Sequence, residues 1–324
     1  MSRQPVLILG AGGFIGRRIV AALAATDWAS PIAASRSIAN TTLDVDVPRM
    51  RLDATDVGAL QAALGSVSAV VSCISGEAQQ IIRSGEALLN AAARAPTSPR
   101  VVYLSSMDAY GSVTGAVDET APLRGDFGAY SQAKATIDAL TMTQSGTVTL
   151  RPGIVYGAGS TWWSDRIARL LIQRRLGDLG SRGAGLCNLV HVDDVAAAVL
   201  RALQVPEAGG QAFNLANPQP PTWNGYFYRY AQALGALPLR GISSGRLLLE
   251  LKLYGPALKA AEAVLRGANP WRHSEAIRPW LARLCGHHIQ LDSHKAEKVL
   301  GLRFRDLDAG LAETAAWFLS GGRT

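Results

Sequence analysis

Short apolar runs alternate with longer stretches of helical periodicity over the first 150 residues of the chain. The runs show little polar alternation, which is typical of strands that are buried on both faces. They lie at Val6–Leu9, Ile32–Ser35, Met50–Leu52, Ala69–Cys73, Val101–Leu104 and Thr147–Leu150. The helical stretches between them lie at Phe14–Ala25, Val57–Leu64, Ile81–Arg94 and Ser131–Thr143. This alternation predicts an α/β fold in which helices cover both faces of a doubly wound parallel sheet.

The regular alternation weakens after Arg151, and the rest of the chain is mainly helical in pattern. Helices are predicted at Asp165–Arg175, Asp193–Leu203, Tyr226–Leu234, Arg246–Arg266, Ser274–Leu284 and Leu307–Leu319, with one further strand at Ala212–Leu215. The segment Pro-Gln-Pro-Pro at 218–221 is the clearest break in the chain. We therefore predict a core over residues 1–160, to which 186–216 returns, and a smaller, mostly helical C-terminal lobe over 161–185 and 217–324.

Composition and charge narrow the classes of function. Hydrophobic residues make up 48% of the chain, which allows a sizeable core and disfavours disorder. The net charge of +7 comes from scattered Lys and Arg without an aromatic-interleaved stripe, so no nucleic-acid partner is predicted. Three distant cysteines, an odd number, favour reduced thiols and a cytoplasmic location. No apolar stretch is long enough for a membrane span, and Arg246–Arg266 either lies on a membrane surface or packs on the lobe.

A glycine-rich loop, GAGGFIG at Gly10–Gly16, joins the first predicted strand to the first helix. Glycines at this junction permit a tight turn and a close approach of the backbone to a pyrophosphate, and the helix N-terminus supplies free N–H groups. The loop therefore predicts a Rossmann core with a dinucleotide site, the alternative being a glycine turn without a ligand. The residues predicted to bind the pyrophosphate are Gly10, Gly13, Phe14, Ile15 and Gly16.

The end of the second strand indicates which dinucleotide is bound. Enzymes that use NAD place a carboxylate there for the ribose diol, but residues 33–37 contain no acid. Arg36 can instead pair with a 2′-phosphate through its forked donors. NADP(H) is therefore predicted as the cofactor, and NAD(H) is the alternative if Arg36 is only a solvated loop residue.

Candidate catalytic residues lie at the end of the fifth strand and at the start of the following helix. Tyr130 and Lys134 are four residues apart and so share one helix face. An unperturbed tyrosine has a pKa near ~10, and a neighbouring ammonium is expected to lower it. Lys134 can also bond the nicotinamide ribose. Ser105 or Ser106 would stabilise charge on the reacting oxygen.

These motifs together resemble those of the extended short-chain dehydrogenase/reductase family, the NAD-dependent epimerases and dehydratases. The segments that carry the resemblance are GAGGFIG, VVYLSSMDAYG, YSQAK, RPGIVYGAG at 151–159, NLVHVDDVAAAV at 188–199, and the closing SHKAEKVLGLRF and GLAETAAWF. The resemblance selects Ser106, with Tyr130 and Lys134, as the catalytic group. It also implies the further cofactor contacts Asp53 and Ala54 at the adenine, Cys73 after the fourth strand, and Pro152 and Val155 at the nicotinamide. Relatives often form homodimers through two core helices, and the sequence leaves the oligomeric state open.

The resemblance leaves two main reactions open, because the family supports several chemistries. One is NADP(H)-dependent interconversion of a ketone or aldehyde and an alcohol, and the other is nucleotide-sugar epimerisation or dehydration with a recycled cofactor. Ile154 and Cys187 replace the Asn and Arg of many nucleotide-sugar enzymes, which favours the oxidoreductase. A cofactor-binding regulator without catalysis is a third, weaker reading. The segment Ser72–Gly76 also replaces an Ala-rich stretch of the family.

Aromatic residues in the lobe indicate a small-molecule substrate of apolar character, although each of them alone is better explained as core. They are Trp162, Trp163, Trp223, Tyr226, Phe227 and Tyr228. Three histidines near Cys285 do not fit the spacing of a tetrahedral zinc site, so no metal is predicted. These histidines are His287, His288 and His294.

Overall fold

The computed structural model describes residues 3–38, 41–243, 245, 277 and 279–322. Within it, two compact units fall in separate ranges of the chain. The first falls within Met1–Val155, Val190–Pro218 and Leu291–Phe304, and the second within Tyr156–Leu189, Gln219–Gln290 and Arg305–Thr324. The predicted helix Arg246–Arg266 and the start of the predicted helix Ser274–Leu284 lie outside the described residues.

The strands and helices are numbered in chain order. The strands are β1 (Gln4–Leu9), β2 (Ala29–Ser35), β3 (Arg49–Arg51), β4 (Ala69–Ser72), β5 (Arg100–Leu104), β6 (Gly115–Val117), β7 (Thr147–Pro152), β8 (Ile154–Tyr156), β9 (Leu189–His191), β10 (Ala212–Leu215) and β11 (Ile289–Leu291). The helices are α1 (Phe14–Ala24), α2 (Val57–Leu64), α3 (Ala78–Arg94), α4 (Ala129–Thr141), α5 (Arg166–Ile172), α6 (Val192–Gln204), α7 (Trp223–Ala233), α8 (Pro279–Cys285), α9 (His294–Leu300) and α10 (Leu307–Leu319).

A seven-stranded sheet in the order β3-β2-β1-β4-β5-β7-β10 forms the centre of the first unit. All of its neighbouring strands pair in parallel. The predicted Rossmann-type parallel sheet is therefore confirmed. Because the strands are parallel, their carboxyl ends meet at one edge of the sheet, where open α/β sheets bind their ligands.

The apolar strands are explained by burial on both faces of this sheet. In β1, Val6 and Ile8 belong to the core that contains α1 and α6. Leu7 and Leu9 belong to the core on the opposite face, which contains α2 and α3. Successive side chains of a strand point to opposite faces, so a strand covered on both sides has no polar position. Each fully buried Leu or Ile contributes about 2 kcal/mol to stability.

The two units divide the chain at other residues than the prediction, since 156–160 and 186–189 fall in the second unit and 217–218 in the first. Residues 291–304 were predicted to lie in the C-terminal lobe, but the structure places Leu291–Phe304 in the first unit. The reason is the packing of α9, whose Ala296 and Leu300 are buried in the same core as Phe213 of β10. The short sequence of α9 does not reveal this return to the core.

The second unit is mostly helical and has an aromatic core. Trp223, Tyr226 and Phe227 of α7 are fully buried, and the Tyr226 hydroxyl donates to the Trp163 carbonyl oxygen. Trp162 and Tyr228 are exposed. Three of the aromatic residues proposed for a substrate surface are therefore core residues. Over the described ranges, no helix is both long enough and apolar enough to cross a membrane.

Candidate active site

The glycine loop connects β1 to α1 in a conformation that only glycine accommodates well. Gly10 has a φ of +78°, and a Cβ there would lie 3.2 Å from the carbonyl carbon of Cys73. A Cβ on Gly16 would collide with the Gly10 carbonyl oxygen and lie 2.9 Å from Ala11 Cα. The Gly13 amide donates to the Gly10 oxygen at 3.0 Å, which closes the turn. Gly10 and Gly16 therefore allow strand, loop and helix to pack closely.

The loop leaves the start of α1 suited to an anion. Gly13 caps the helix without a side-chain hydrogen bond, and the first turn contains no acidic residue. Phe14 and Ile15 pack their side chains against the core, so only their backbone amides are available at this end. Free helix N–H groups and the helix dipole favour a phosphate. The residues present therefore fit the pyrophosphate of a dinucleotide.

Arg36 and Asp53 lie close together beyond the ends of β2 and β3. Both residues are exposed, and the positive charge of Arg36 acts on the Asp53 carboxylate. The backbone amide and hydroxyl of Thr55 donate to Asp53 Oδ1 at 3.0 and 2.8 Å. These hydrogen bonds, followed by the charge of Arg36, lower the pKa of Asp53. Ala54 is buried beside them. Asp56 caps α2 by accepting from Ala59 N, a role for which Asp is among the preferred residues.

Tyr130 and Ser106 come together at the carboxyl edge of the sheet. Ser106 follows β5 and caps a short 3-10 turn, where its Oγ accepts from the Asp108 amide at 3.2 Å. The hydroxyls of Ser75 and Ser106 lie near enough to the Tyr130 hydroxyl to influence its pKa. Ser105 does not take this position, because its Oγ is buried without a hydrogen-bond partner among the described residues. The geometry thus agrees with the selection of Ser106.

The pKa of Tyr130 differs from the expectation. Lys134 was expected to lower it, but burial dominates and raises the pKa of the Tyr130 phenol. The charge of Asp108 raises the pKa further. Hydrogen bonding by Ser75 and, to a smaller extent, by Ser106 lowers it. Lys134 is not among the groups that shift the phenol in the described structure. The Lys134 ammonium is instead hydrogen-bonded to the carbonyl oxygens of Leu104 and Ile74.

The Lys134 side chain is buried next to the candidate site. Its side chain is 2% exposed, and Nζ donates to the carbonyl oxygens of Leu104 at 2.7 Å and Ile74 at 3.3 Å. Nζ also lies 5.2 Å from the centroid of the Tyr103 ring, which is a cation–π distance. Burial lowers the pKa of Lys134 to about 8, while the charge of Asp138 opposes this decrease. The ammonium is therefore held rigidly at the ends of β4 and β5.

A buried ion pair lies one helical turn beyond Lys134. Arg151 Nη2 and Nε donate to the two carboxylate oxygens of Asp138 at 2.8 and 2.9 Å. The side chains are 3% and 0% exposed, respectively. Arg151 Nη1 also donates to the Tyr110 hydroxyl at 2.9 Å, which in turn donates to Asn214 Oδ1 at 2.7 Å. This network connects α4, β7 and β10 below the candidate catalytic group.

The remaining predicted residues lie around the same edge. Cys73 follows β4, and its amide donates to the Leu9 carbonyl oxygen at 2.9 Å. Pro152 ends β7, the strand beside β5, and Val155 lies in β8, and both are buried. Sequence reasoning did not identify Ser75 as a partner of Tyr130. The only signal was the unusual segment Ser72–Gly76, which it did single out.

Tyr103 carries a hydroxyl that the fold does not use. The hydroxyl oxygen is buried and has no hydrogen-bond partner among the residues described. An unsatisfied buried hydroxyl costs about 1–3 kcal/mol. We expect Tyr103→Phe to raise the free energy of unfolding by about 1 kcal/mol, measured by denaturant unfolding, because the ring under Lys134 is retained. As a control, Tyr103→Leu should be destabilising, and a loss of stability in Tyr103→Phe would contradict the prediction.

Comparison with known proteins identifies the family. The model of the NAD dependent epimerase/dehydratase family matches residues 6–216, more than half of the chain. The chain belongs to this family. The resemblance to extended short-chain dehydrogenases/reductases is thereby confirmed, and so is the prediction that the chain is a nicotinamide-dependent enzyme of this type.

Solved structures share the fold of this epimerase/dehydratase family member at low identity. A putative epimerase from Burkholderia cenocepacia J2315 gives a TM-score of 0.72 at 19% identity, covering 98% of this chain and 99% of that chain. UDP-glucose 4-epimerase from Thermotoga maritima, with UDP-glucose, gives 0.71 at 16% identity, covering 98% and 100%. The human epimerase family protein SDR39U1, with NADPH, gives 0.70 at 19% identity, covering 96% and 99%.

A curated relative of this family member is Protein YeeZ of Escherichia coli strain K12. It is 28% identical over 199 residues, which cover 59% of this chain and 66% of YeeZ. The alignment therefore spans slightly less than two thirds of that relative.

Proposed function

We propose that the chain is an NADP(H)-dependent oxidoreductase that interconverts a ketone or aldehyde and the corresponding alcohol. The observation that carries the proposal is the proximity of the Ser106 hydroxyl to the Tyr130 hydroxyl at the carboxyl edge of the sheet. The glycine loop that fits a dinucleotide lies at the same edge, after β1. A proton-transfer group, a hydroxyl for the reacting oxygen and a cofactor cradle are the parts that carbonyl reduction needs.

The residues divide the reaction between them. A bound nicotinamide supplies or accepts the hydride. In reduction, Ser106 donates a hydrogen bond to the substrate oxygen and stabilises the charge that develops on it. Tyr130 donates its phenolic proton to the same oxygen, and in oxidation the phenolate removes that proton. The backbone of Pro152 and Val155 and the side chain of Lys134 orient the cofactor, as the family resemblance implies.

The preference for NADP(H) is supported by Arg36. Its guanidinium is exposed next to Asp53, at the position where a carboxylate for the ribose diol is missing. Similar folds occur with both cofactors, since a dTDP-glucose 4,6-dehydratase of Bacillus anthracis is in complex with NAD and human SDR39U1 is with NADPH. The carboxylate of Asp53 is proposed to contact the adenine amino group. The free thiols of all three cysteines agree with a cytoplasmic location, which is also part of the proposal.

Replacement of Arg36 tests the cofactor preference. We expect Arg36→Ser to weaken NADPH binding by about 10- to 100-fold and to leave NADH binding nearly unchanged, because a charge-assisted hydrogen bond contributes about 1.5–3 kcal/mol. Fluorescence titration with each cofactor measures the effect. Arg303→Ser is the matched control, since Arg303 is exposed and follows α9, which packs on β10 at the opposite edge of the sheet. Equal weakening of both cofactors in Arg36→Ser would contradict the proposal.

Nucleotide-sugar epimerisation or dehydration is the second candidate. It is supported by the similarity in fold to the UDP-glucose 4-epimerase of Thermotoga maritima and to the Bordetella bronchiseptica enzyme WbmG, in complex with NAD and UDP. Absorbance of NADPH and NADH is followed across ketones, aldehydes and keto-sugar nucleotides. Consumption of cofactor supports the oxidoreductase. Binding without consumption, together with a changed sugar nucleotide, supports the second candidate, and binding without any product supports a regulator.

A further inference from the structure

The edge strand β3 carries two arginines, Arg49 and Arg51, on the face of the sheet that α1 covers. Arg49 is paired in register with Ala33 of β2, which belongs to the core that contains α1. Met50 is paired with Ala34, and both pack in the core on the opposite face. Because the side chains of a strand alternate between faces, Arg51 lies on the same face as Arg49.

Three residues that follow β2, Ser37, Ile38 and Thr41, connect this face of β3 to the glycine loop. Arg49 Nη1 donates to the carbonyl oxygens of Thr41 at 3.0 Å and Ile38 at 3.5 Å. Thr41 Oγ1 donates to the Ser37 carbonyl oxygen at 3.1 Å. A Cβ on Gly12 would lie only 2.9 Å from Thr41 Oγ1, so Thr41 packs directly on the glycine loop. The arginine face of β3 is therefore tied to the loop that fits the pyrophosphate.

Arg51 lies two residues closer than Arg49 to the carboxyl edge of the sheet. It is paired in register with Ser35, the last residue of β2. The Leu52 amide donates to the Ser35 carbonyl oxygen at 3.2 Å, which holds the two strand ends together. Arg36 follows Ser35 directly. Arg36 and Arg51 therefore occupy neighbouring chain positions at the ends of β2 and β3.

The two guanidinium groups have the charge that a phosphate monoester requires. Arg36 and Arg51 are exposed, and neither guanidinium forms a hydrogen bond or an ion pair with another residue that the structure describes. Like charges at neighbouring positions repel each other, and a bound anion removes that repulsion. A phosphate monoester carries a charge of about −1.5 to −2 at pH 7, and it accepts forked hydrogen bonds from arginine. A 2′-phosphate therefore fits two arginines better than one, whereas the ribose diol of NAD has no charge to offer them.

We propose that Arg51 is a second specificity-determining residue for NADP(H), which binds the 2′-phosphate together with Arg36. This inference rests on the proposed preference for NADP(H). Arg49 has a different role on the same face, since its Nη1 donates to the backbone after β2 and so connects β3 to the glycine loop. Each of two neighbouring strand ends thus contributes one arginine, and removal of both is needed to abolish the discrimination between the two cofactors.

Replacement of Arg51 in the full chain tests this assignment by cofactor binding, independently of catalysis. We expect Arg51→Gln to weaken NADPH binding by about 10-fold and to leave NADH binding within about twofold, because a charge-assisted hydrogen bond to the phosphate is lost. Arg51→Lys should recover part of the affinity, since it keeps the charge but not the forked donors. The combined Arg36→Ser and Arg51→Gln variant should bind NADPH and NADH about equally. Arg303→Ser is the control for the loss of one exposed positive charge, and it should change NADPH binding by less than about twofold.

Calorimetric titration with adenosine 2′,5′-bisphosphate and with adenosine 5′-phosphate measures the phosphate contact without the nicotinamide half of the cofactor. We expect Arg51→Gln to weaken binding of the bisphosphate and to leave binding of the monophosphate unchanged. Weaker NADPH binding in Arg36→Ser together with unchanged NADPH binding in Arg51→Gln would overturn the role of Arg51 and leave the cofactor preference intact. Equal weakening of both cofactors in Arg51→Gln would also overturn it, because only the fold would then depend on Arg51. If no carbonyl compound is reduced while Arg51→Gln selectively weakens NADPH binding, the proposed oxidoreductase fails and the assignment of Arg51 is supported.

Discussion

Tyr130→Phe is expected to lower kcat by about 10²- to 10⁴-fold, because it removes the proton donor that neutralises the substrate oxygen. The fold should tolerate this change. The hydroxyl contacts Ser75, which is exposed, and Ser106, which is partly buried, so water can replace it at both serines. We therefore expect the free energy of unfolding to change by less than about 1 kcal/mol. Binding of NADPH should persist, since the glycine loop is untouched.

The measurement combines steady-state kinetics with cofactor titration on the same preparations. Tyr103→Phe is the matched control, because it removes a phenolic hydroxyl on the neighbouring strand β5 and should keep kcat within about twofold. A Tyr130→Phe protein that keeps more than about a tenth of the original kcat would show that another group supplies the proton. Loss of NADPH binding in this variant would instead point to a structural role for the phenol.

Asp138→Asn is expected to destabilise the protein by about 3–5 kcal/mol, the largest effect on stability among these predictions. It removes the charge that Arg151 pairs with through two hydrogen bonds of 2.8 and 2.9 Å, and both side chains are buried. An uncompensated guanidinium inside the protein is costly, because water cannot solvate it. The asparagine amide group would also place donors opposite the Arg151 donors. Denaturant unfolding measures the loss.

A double variant tests whether the loss of stability comes from the unpaired charge of Arg151 or from altered packing at this site. Asp138→Leu combined with Arg151→Met replaces both charges by apolar side chains, and we expect it to recover most of the stability that Asp138→Asn loses. The exposed pair of Arg229 with Asp308, with two hydrogen bonds of 3.0 Å, is the matched control. Arg229→Met should cost less than about 1 kcal/mol. Similar losses in Asp138→Asn and Arg229→Met would contradict the assignment of the effect to burial.

The sequence was sufficient for the architecture of the first unit. Each predicted strand of the first 150 residues is present. The central strands could be predicted because a run buried on both faces has to be apolar throughout and the intervening helices have to be amphipathic, whereas the edge strand β3 is largely exposed. Boundaries were less accurate. The helix predicted over Ser131–Thr143 begins at Ala129, and the one predicted over Ile81–Arg94 begins at Ala78. Neither α3 nor α4 has a side-chain cap hydrogen bond that would mark its start.

The residues of the candidate site could be predicted because they lie at characteristic short spacings in the sequence. The glycine loop occupies a strand–helix junction, and Tyr130 and Lys134 occupy one helix face, so both arrangements follow from short-range geometry. The direction of the Lys134 ammonium could not be predicted. It depends on carbonyl groups at the ends of β4 and β5, which are remote in sequence. The expected lowering of the Tyr130 pKa was wrong, because burial of the phenol dominates and raises it.

The parallel sheet could thus be predicted from the sequence, and so could the candidate residues of the glycine loop, Tyr130 and Lys134, since each is encoded in contiguous or helically spaced residues, whereas the choice of Ser106 over Ser105 came from the family resemblance. Which groups surround these residues depends on the three-dimensional fold. Ser75 reaches Tyr130 because β4 and β5 are neighbours, and Arg151 reaches Asp138 because β7 lies beside α4. Such contacts depend on the order of strands in the sheet, and burial then sets the pKa of each group through the loss of water.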